Sequence, residues 1–180
     1  MQNLCLEKAF LFIERGPVIL VTTFDGKKNN VMTISWTMVK DFDAQFAFLT
    51  GAWNYSYKAL MKNKECVIAV PAADLAKKAV EIGSCSGADT DKFKKFKLTA
   101  AKSKYVKAPL IKECYVNIEC KVCDYVKKHN IFALKGVNAW IDDKKKDKRL
   151  IHAVGDGTFI LDGEKLNYKK IMKDKLPAGI

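Results

Sequence analysis

Val18-Ile19-Leu20-Val21-Thr22-Thr23-Phe24-Asp25-Gly26-Lys27-Lys28-Asn29-Asn30-Val31-Met32-Thr33-Ile34-Ser35-Trp36-Thr37-Met38-Val39 is the stretch that decides the fold. Its first seven residues are an apolar, β-branched run, which reads as a buried strand. Asp25-Gly26 is a hairpin dipeptide. Asn30 to Val39 then reads as the return strand, so the pairing is antiparallel.

The pattern continues outward on both sides. Leu4 to Glu14 has apolar positions near helical spacing, and Gly16-Pro17 stops it. Asp41-Phe42-Asp43 breaks the return strand, and Gln45 to Thr50 makes a third. Gly51-Ala52-Trp53-Asn54 is a loop whose Asn54 is placed to cap a short helix through Lys62. Glu65 to Val70 is a strand ended by Pro71, and Asp74 to Ile82 a helix closed by Gly83. Ser84 to Asp91 is polar and irregular, and Lys92 to Phe96 suits a helical turn. Two long β-rich stretches follow, Glu113 to Tyr125 and Ile131 to Ile141. The charged loop Asp142 to Lys148 leads to a last short strand, Thr158 to Leu161, a turn at Asp162-Gly163 and a lysine-rich tail, Lys165 to Ile180. Six or more strands with hairpin signals predict a mainly β fold, an antiparallel barrel with peripheral helices. Neither a repeat nor a linker divides the chain, so one domain over 1–180 is expected, with a core at about 14–162 and a tail at 163–180.

Composition excludes several classes. Of 180 residues, 49% are apolar and 29% charged, which suits a packed domain and not a disordered or disulfide-scaffold chain. The net charge of +12 comes almost wholly from lysine, for Arg15 and Arg149 are the only arginines. Arginine is the fork that reads base edges, so nucleic acid is not the favoured partner, but the field attracts anions, phosphate-bearing cofactors included. No apolar run reaches the ~18 to 20 residues of a membrane span. The N-terminus lacks the features of a signal peptide. The expected compartment is the cytoplasm, where six cysteines stay reduced. Cys120 and Cys123 form a C-x-x-C, but three residues along a strand they face opposite sides, a poor arrangement for a metal or a redox disulfide.

No dinucleotide fingerprint, Walker motif, nucleophile elbow or H-E-x-x-H is present. Two histidines and scattered acids offer little for acid–base catalysis, so any difficult chemistry belongs to a cofactor. Three segments stand out. Asn30 to Thr37 sets short hydroxyls beside Trp36, which suits either a planar heteroaromatic ligand or simply a strand with one polar face. Thr50 to Tyr57 follows a strand and opens a helix, which suits an anion or merely a capped loop. Ser84 to Phe93 is a polar loop with a lysine and an aromatic, or a surface loop whose Asp caps the next helix.

Together and in this order, the segments resemble the flavoredoxin group of the flavin reductase-like, FMN-binding split-barrel family. The resemblance rests on Pro17 to Thr23, Asn30 to Thr37, Asp41-Phe42, Tyr55-Ser56, Glu65 to Ile68, Ser86-Gly87 with Asp91-Lys92-Phe93, and Glu113-Cys114 with Asn117 to Cys120. It implies a six-stranded antiparallel Greek-key split β-barrel that binds FMN as a homodimer and passes electrons from NAD(P)H or a redox protein to an acceptor. The residues it assigns to the flavin are Met32, Thr33, Ile34, Ser35, Trp36 and Thr37 along the ring. Thr50, Asn54, Tyr55 and Ser56 fall to the phosphate, and Ser86 and Lys92 to the far side. Relatives often carry a basic residue just before the serine. Tyr55 stands there in this chain, so charge compensation falls to Lys58, Lys92 or the backbone. The rival readings are a carrier of flavin or another planar ligand that does no reduction, and a small barrel that binds single-stranded nucleic acid.

Overall fold

The computed structural model describes residues 1–177. The chain opens with β1 (Gln2–Leu4) and a 3-10 helix over Leu6–Phe12. The α-helix expected over Leu4 to Glu14 does not form: Gln2 to Leu4 pairs with a later strand, and the rest is wound as the tighter 3-10 helix. Next come β2 (Ile19–Phe24), β3 (Asn29–Ile34), β4 (Thr37–Asp41), β5 (Gln45–Leu49), α1 (Tyr57–Asn63) and β6 (Glu65–Val70). After these lie α2 (Ala76–Gly83), α3 (Lys92–Lys95), the short β7 (Ala100–Ala101) and β8 (Leu110–Ile111), then β9 (Val116–Val126) and β10 (Ile131–Ile141). The hairpin of β11 (Ile151–Ala153) and β12 (Phe159–Leu161) completes the set.

One curled antiparallel sheet dominates, in the order β3-β2-β6-β9-β10-β5-β4, with β1 added beside β10. Six of its strands have well-buried faces, while β4 is a half-exposed edge and β1 a three-residue addition. The expected return strand Asn30 to Val39 is therefore two strands. β3 runs beside β2 until Ile34 meets Ile19, where its partner ends. The chain then turns at Ser35-Trp36, and Thr37 begins a new pairing against Phe48 of β5, at the opposite end of the sheet order.

Strand alternation builds two apolar layers. Ile19, Val21, Met32, Phe46, Phe48 and Phe132 point into the barrel. Leu20, Val31 and Ala69 point outward and are covered by Ala79 and Ile82 of α2 with Phe96 and Leu98. β2 is thus buried on both faces, which explains its unbroken apolar reading. On the far side, Glu119 is fully buried and accepts hydrogen bonds from the Lys104 and Tyr105 N–H groups, Asn138 Nδ2 and Trp140 Nε1 at 2.6–3.1 Å. Burial pushes its carboxyl up, but these four donors outweigh burial and hold it below its ordinary value. Cys120 is buried and Cys123 exposed, the latter where β9 slips register against β10.

Candidate functional site

Asn30 and Met32 are two residues apart on β3, so both side chains leave the same face of the strand. That face, the Trp53–Ser56 loop and the Gly83–Gly87 loop enclose two adjoining cavities. The first, about 270 Å³, is lined by Thr23, Asp25, Lys27, Lys28, Ser56 and Lys58, among others. The second, about 250 Å³, runs along Met32, Trp53, Asn54, Cys85, Ser86 and Lys92. Asn30, Tyr55 and Ser56 belong to both and form the wall between them.

Ser56 is the centre of this wall. It is buried; its Oγ accepts a hydrogen bond from Asn30 Nδ2 at 2.8 Å and shares one with Thr23 Oγ1 at 3.2 Å. A hydroxyl has one proton and two acceptor positions, and either member of the Thr23–Ser56 pair can give the proton between them. The N–H groups of Tyr55 and Ser56 find no acceptor among the described residues. The wall therefore presents donors, and its complement is an anion or a strong acceptor.

The charge around it agrees. Among the described residues, Lys27, Lys28 and Lys58 form no ion pair with a carboxylate. Asp25 turns inward on its own hairpin: bonds from the Lys28 and Lys27 N–H groups hold its carboxyl below the usual range. Lys28 donates to the Gly87 carbonyl at 2.7 Å, and its Nζ lies 4.7 Å from the centre of the Tyr55 ring. The β2–β3 turn thus delivers a cation to the place where Tyr55 supplies none. At the other end, Lys92 is 4% exposed and donates to the Ile82 carbonyl at 2.8 Å. Burial pulls its ammonium pKa down, and the nearby Cys85 partly opposes this.

Of the residues singled out in the sequence, Met32, Asn54, Tyr55, Ser56, Ser86 and Lys92 meet in the second cavity. Thr50 lies buried beneath it, accepting from Asn54 Nδ2 at 2.9 Å, with Met32 Sδ 3.9 Å away. Asn54 is therefore not the side-chain cap of α1. It is committed to Thr50, and Ser56 occupies the cap position. Thr33, Ile34, Ser35, Trp36 and Thr37 line neither cavity. Thr33 donates to the Ala79 carbonyl of α2 at 2.6 Å, and Ile34 packs in the barrel. Ser35 and Trp36 stand exposed at the turn between β3 and β4. Thr37 Oγ1 is buried and has no hydrogen-bond partner.

Thr23, Asn30 and Gly87 lie in segments that stand out in the sequence but are given no ligand role there, and Lys28 is not singled out. A period-two count from Met32 finds Asn30. Gly87 answers a steric demand, since a Cβ there would sit 2.2 Å from Asn30 Oδ1. Lys28 carries no local signal, because only the closed loop brings it to Tyr55. Among the described residues, no group of three His, Cys, Asp or Glu gathers to hold a metal. None of their helices is long and apolar enough to cross a membrane.

Residues 14–158 match the flavin reductase like domain. An uncharacterized protein of Archaeoglobus fulgidus is 36% identical over 124 residues, 67% of this chain and 70% of that one. Among solved structures, an FMN-binding domain of a flavin reductases-like enzyme from Shewanella baltica superposes with a TM-score of 0.85 at 22% identity, over 92% of this chain and 95% of that one. Flavoredoxin of Desulfovibrio vulgaris gives 0.76, also at 22% identity, over 84% and 89%. At these identities the two structures speak for the fold, a split barrel.

Proposed function

The chain belongs to the flavin reductase like domain family, and from that premise we propose that it is an FMN-binding flavoprotein, a homodimer that passes electrons from NAD(P)H or a redox protein to an acceptor. The observation that carries the reading is the Tyr55–Ser56 turn, whose two N–H groups have no acceptor among the described residues and whose buried Ser56 hydroxyl is set between a lysine-lined cavity and a polar one. A monophosphate on a flat ring system matches that pair: dianionic oxygens for Ser56 and the lysines, and a planar body for the remainder.

In this assignment Ser56, the Tyr55 and Ser56 N–H groups, Lys28 and Lys58 hold the phosphate. The charge expected of a basic residue at 55 comes from Lys28. Asn30 and Thr23 fix the Ser56 rotamer, so its oxygen is held in place without further ordering. The ribityl chain and ring follow the second cavity past Asn54 and Trp53, with Lys92 and Ser86 on one side and Met32 on the other. The Thr33 hydroxyl is spent on α2 and is not available to the ligand. Lys92 keeps two of its three N–H donors beyond the Ile82 carbonyl, and a nearby anion favours its charged form against the pull of burial. When bound, the flavin supplies the electron chemistry, and the protein supplies position and field.

The test is an absorption spectrum of the purified chain with added FMN, repeated under anaerobic conditions with NADH or NADPH. Flavin that co-purifies and bleaches supports a reductase. Flavin that stays bound without bleaching supports a carrier or a protein donor. No retained flavin defeats the proposal.

A further inference from the structure

The segment after the β11–β12 hairpin is built unlike the rest of the chain. Asp162 ties the hairpin to the body: it accepts from the Leu150 N–H at 3.0 Å and contacts His152 and Arg15. Beyond it, every residue from Gly163 to Lys175 is exposed. The hydrogen bonds of the described residues 163–177 stay inside that segment. The Ile171 and Met172 N–H groups donate to the Tyr168 carbonyl, the Lys175 N–H to the Met172 carbonyl and the Lys169 N–H to Asn167 Oδ1. An arm is thus anchored at its base and makes no hydrogen bond to the body. It lies past residue 158, where the match to the family domain stops.

Two kinds of side chain are interleaved along it. Lys165, Lys169, Lys170, Lys173 and Lys175 face only two acids, Glu164 and Asp174, which leaves the arm at +3. None of these five lysines forms an ion pair among the described residues. Between them Leu166 (64% exposed), Tyr168 (57%), Ile171 (83%) and Met172 (49%) stand in water. Unpaired lysines alternating with bare apolar side chains suit a surface that is anionic on top and apolar just beneath.

We propose that the 163–177 arm attaches the protein to an anionic lipid surface, with its lysines among the headgroups and Leu166 and Ile171 inserted below them. Charge complementarity selects this occupant, since the whole chain carries +12 and the arm adds to that field. A bilayer demands no fixed register, whereas a protein partner demands a shape that an arm unbonded to its own body does not hold. The cations are all lysine, point charges that act through a field, and no arginine fork stands among them to dock on a carboxylate. Lysine stems can lie along the apolar boundary while their heads stay wet. The arm lies on the surface and does not span it: no helix of the described residues is long and apolar enough to cross a membrane. The proposal does not rest on the flavin reading.

The experiment sediments the full-length chain with vesicles of phosphatidylcholine alone, or of phosphatidylcholine with a third of phosphatidylglycerol, at low and high salt. The variants are K169Q/K170Q and L166S/I171S. All four side chains are exposed and bond to nothing on the body, so both variants should melt with the unaltered chain. The unaltered chain should bind the anionic vesicles alone and release them at high salt. A lysine near such a surface is worth about fivefold, so K169Q/K170Q should bind about 25-fold more weakly. Burial of one large aliphatic side chain is worth about tenfold, so L166S/I171S should lose at least that much. No binding to anionic vesicles at low salt overturns the proposal and leaves an acidic protein as the arm's occupant. Equal binding to neutral vesicles overturns the charge argument. Binding that both variants keep overturns the arm's part, and full binding by L166S/I171S alone overturns the insertion.

Discussion

Replacing Ser56 with alanine is the sharpest probe of the site. The substitution removes the buried hydroxyl that the proposed phosphate site uses on the wall between the two cavities. A hydrogen bond to a charged group is worth about 1.5–3 kcal/mol. At 1.4 kcal/mol per tenfold, the FMN Kd should rise about 10- to 150-fold. Riboflavin has the same ring and ribityl chain without the phosphate, so its Kd should hardly move. The change in the FMN-to-riboflavin affinity ratio therefore isolates the phosphate contact. Alanine also strips Asn30 Nδ2 of its acceptor, which costs about 1–3 kcal/mol of stability. For a chain of this length that lowers Tm by about 2–4 °C per kcal/mol. Titrations of flavin fluorescence well below the transition avoid confusing the two effects. If FMN and riboflavin weaken equally, or neither weakens, the phosphate is not at Ser56 and the reasoning fails.

Neutralising Lys27, Lys28 and Lys58 together to glutamine should weaken FMN by about one to two powers of ten and flatten the salt dependence of binding, since exposed charges act through a screened field. A salt slope equal to that of the unaltered chain would count against the lysine-walled phosphate site. Lys92→Met should leave the flavin-free protein nearly as stable, because the buried ammonium is itself costly, while FMN binding weakens; a large loss of Tm with intact binding would make Lys92 structural. The folded pKa of Lys92 lies below its ordinary value, so the unfolded chain binds more protons between the two and stability rises with pH across that window, a rise that Lys92→Met should abolish in thermal melts. Glu119→Ala should destabilise by about 3–5 kcal/mol, as four buried donors lose their acceptor. The folded pKa of Glu119 is depressed, so its contribution is full above the ordinary carboxylate range and disappears as pH falls through the lowered value. An acid-unfolding midpoint unchanged in Glu119→Ala would refute that account.

The sheet was largely legible from the chain because its strands carry their own signals: the β-branched run before Asp25-Gly26, Glu65 to Val70 closed by Pro71, the long stretch from Ile131. The break inside Asn30 to Val39 was not legible. Ser35 and Trp36 are ordinary strand residues, and the chain leaves β2 there only because β2 has run out of partners at Ile19. The site divides along the same line. Tyr55, Ser56, Ser86 and Lys92 sit in recognisable local patterns. Lys28 does not, since its meeting with Tyr55 depends on a turn and a loop 27 positions apart in the chain closing on each other. Thr33 shows the reverse case: its position on the polar strand suggested a ligand, but alternation sends its hydroxyl to α2.

The turn at Ser35-Trp36 joins β3 to β4, which are the two ends of the seven-strand order. Two residues between strands can span at most about 10–11 Å, so the two free margins of the sheet are forced to meet at this corner. Among the described residues, no strand pairing links these two margins directly. Cutting the chain at that one peptide bond would free the margins from each other while leaving every strand pair of the sheet in place.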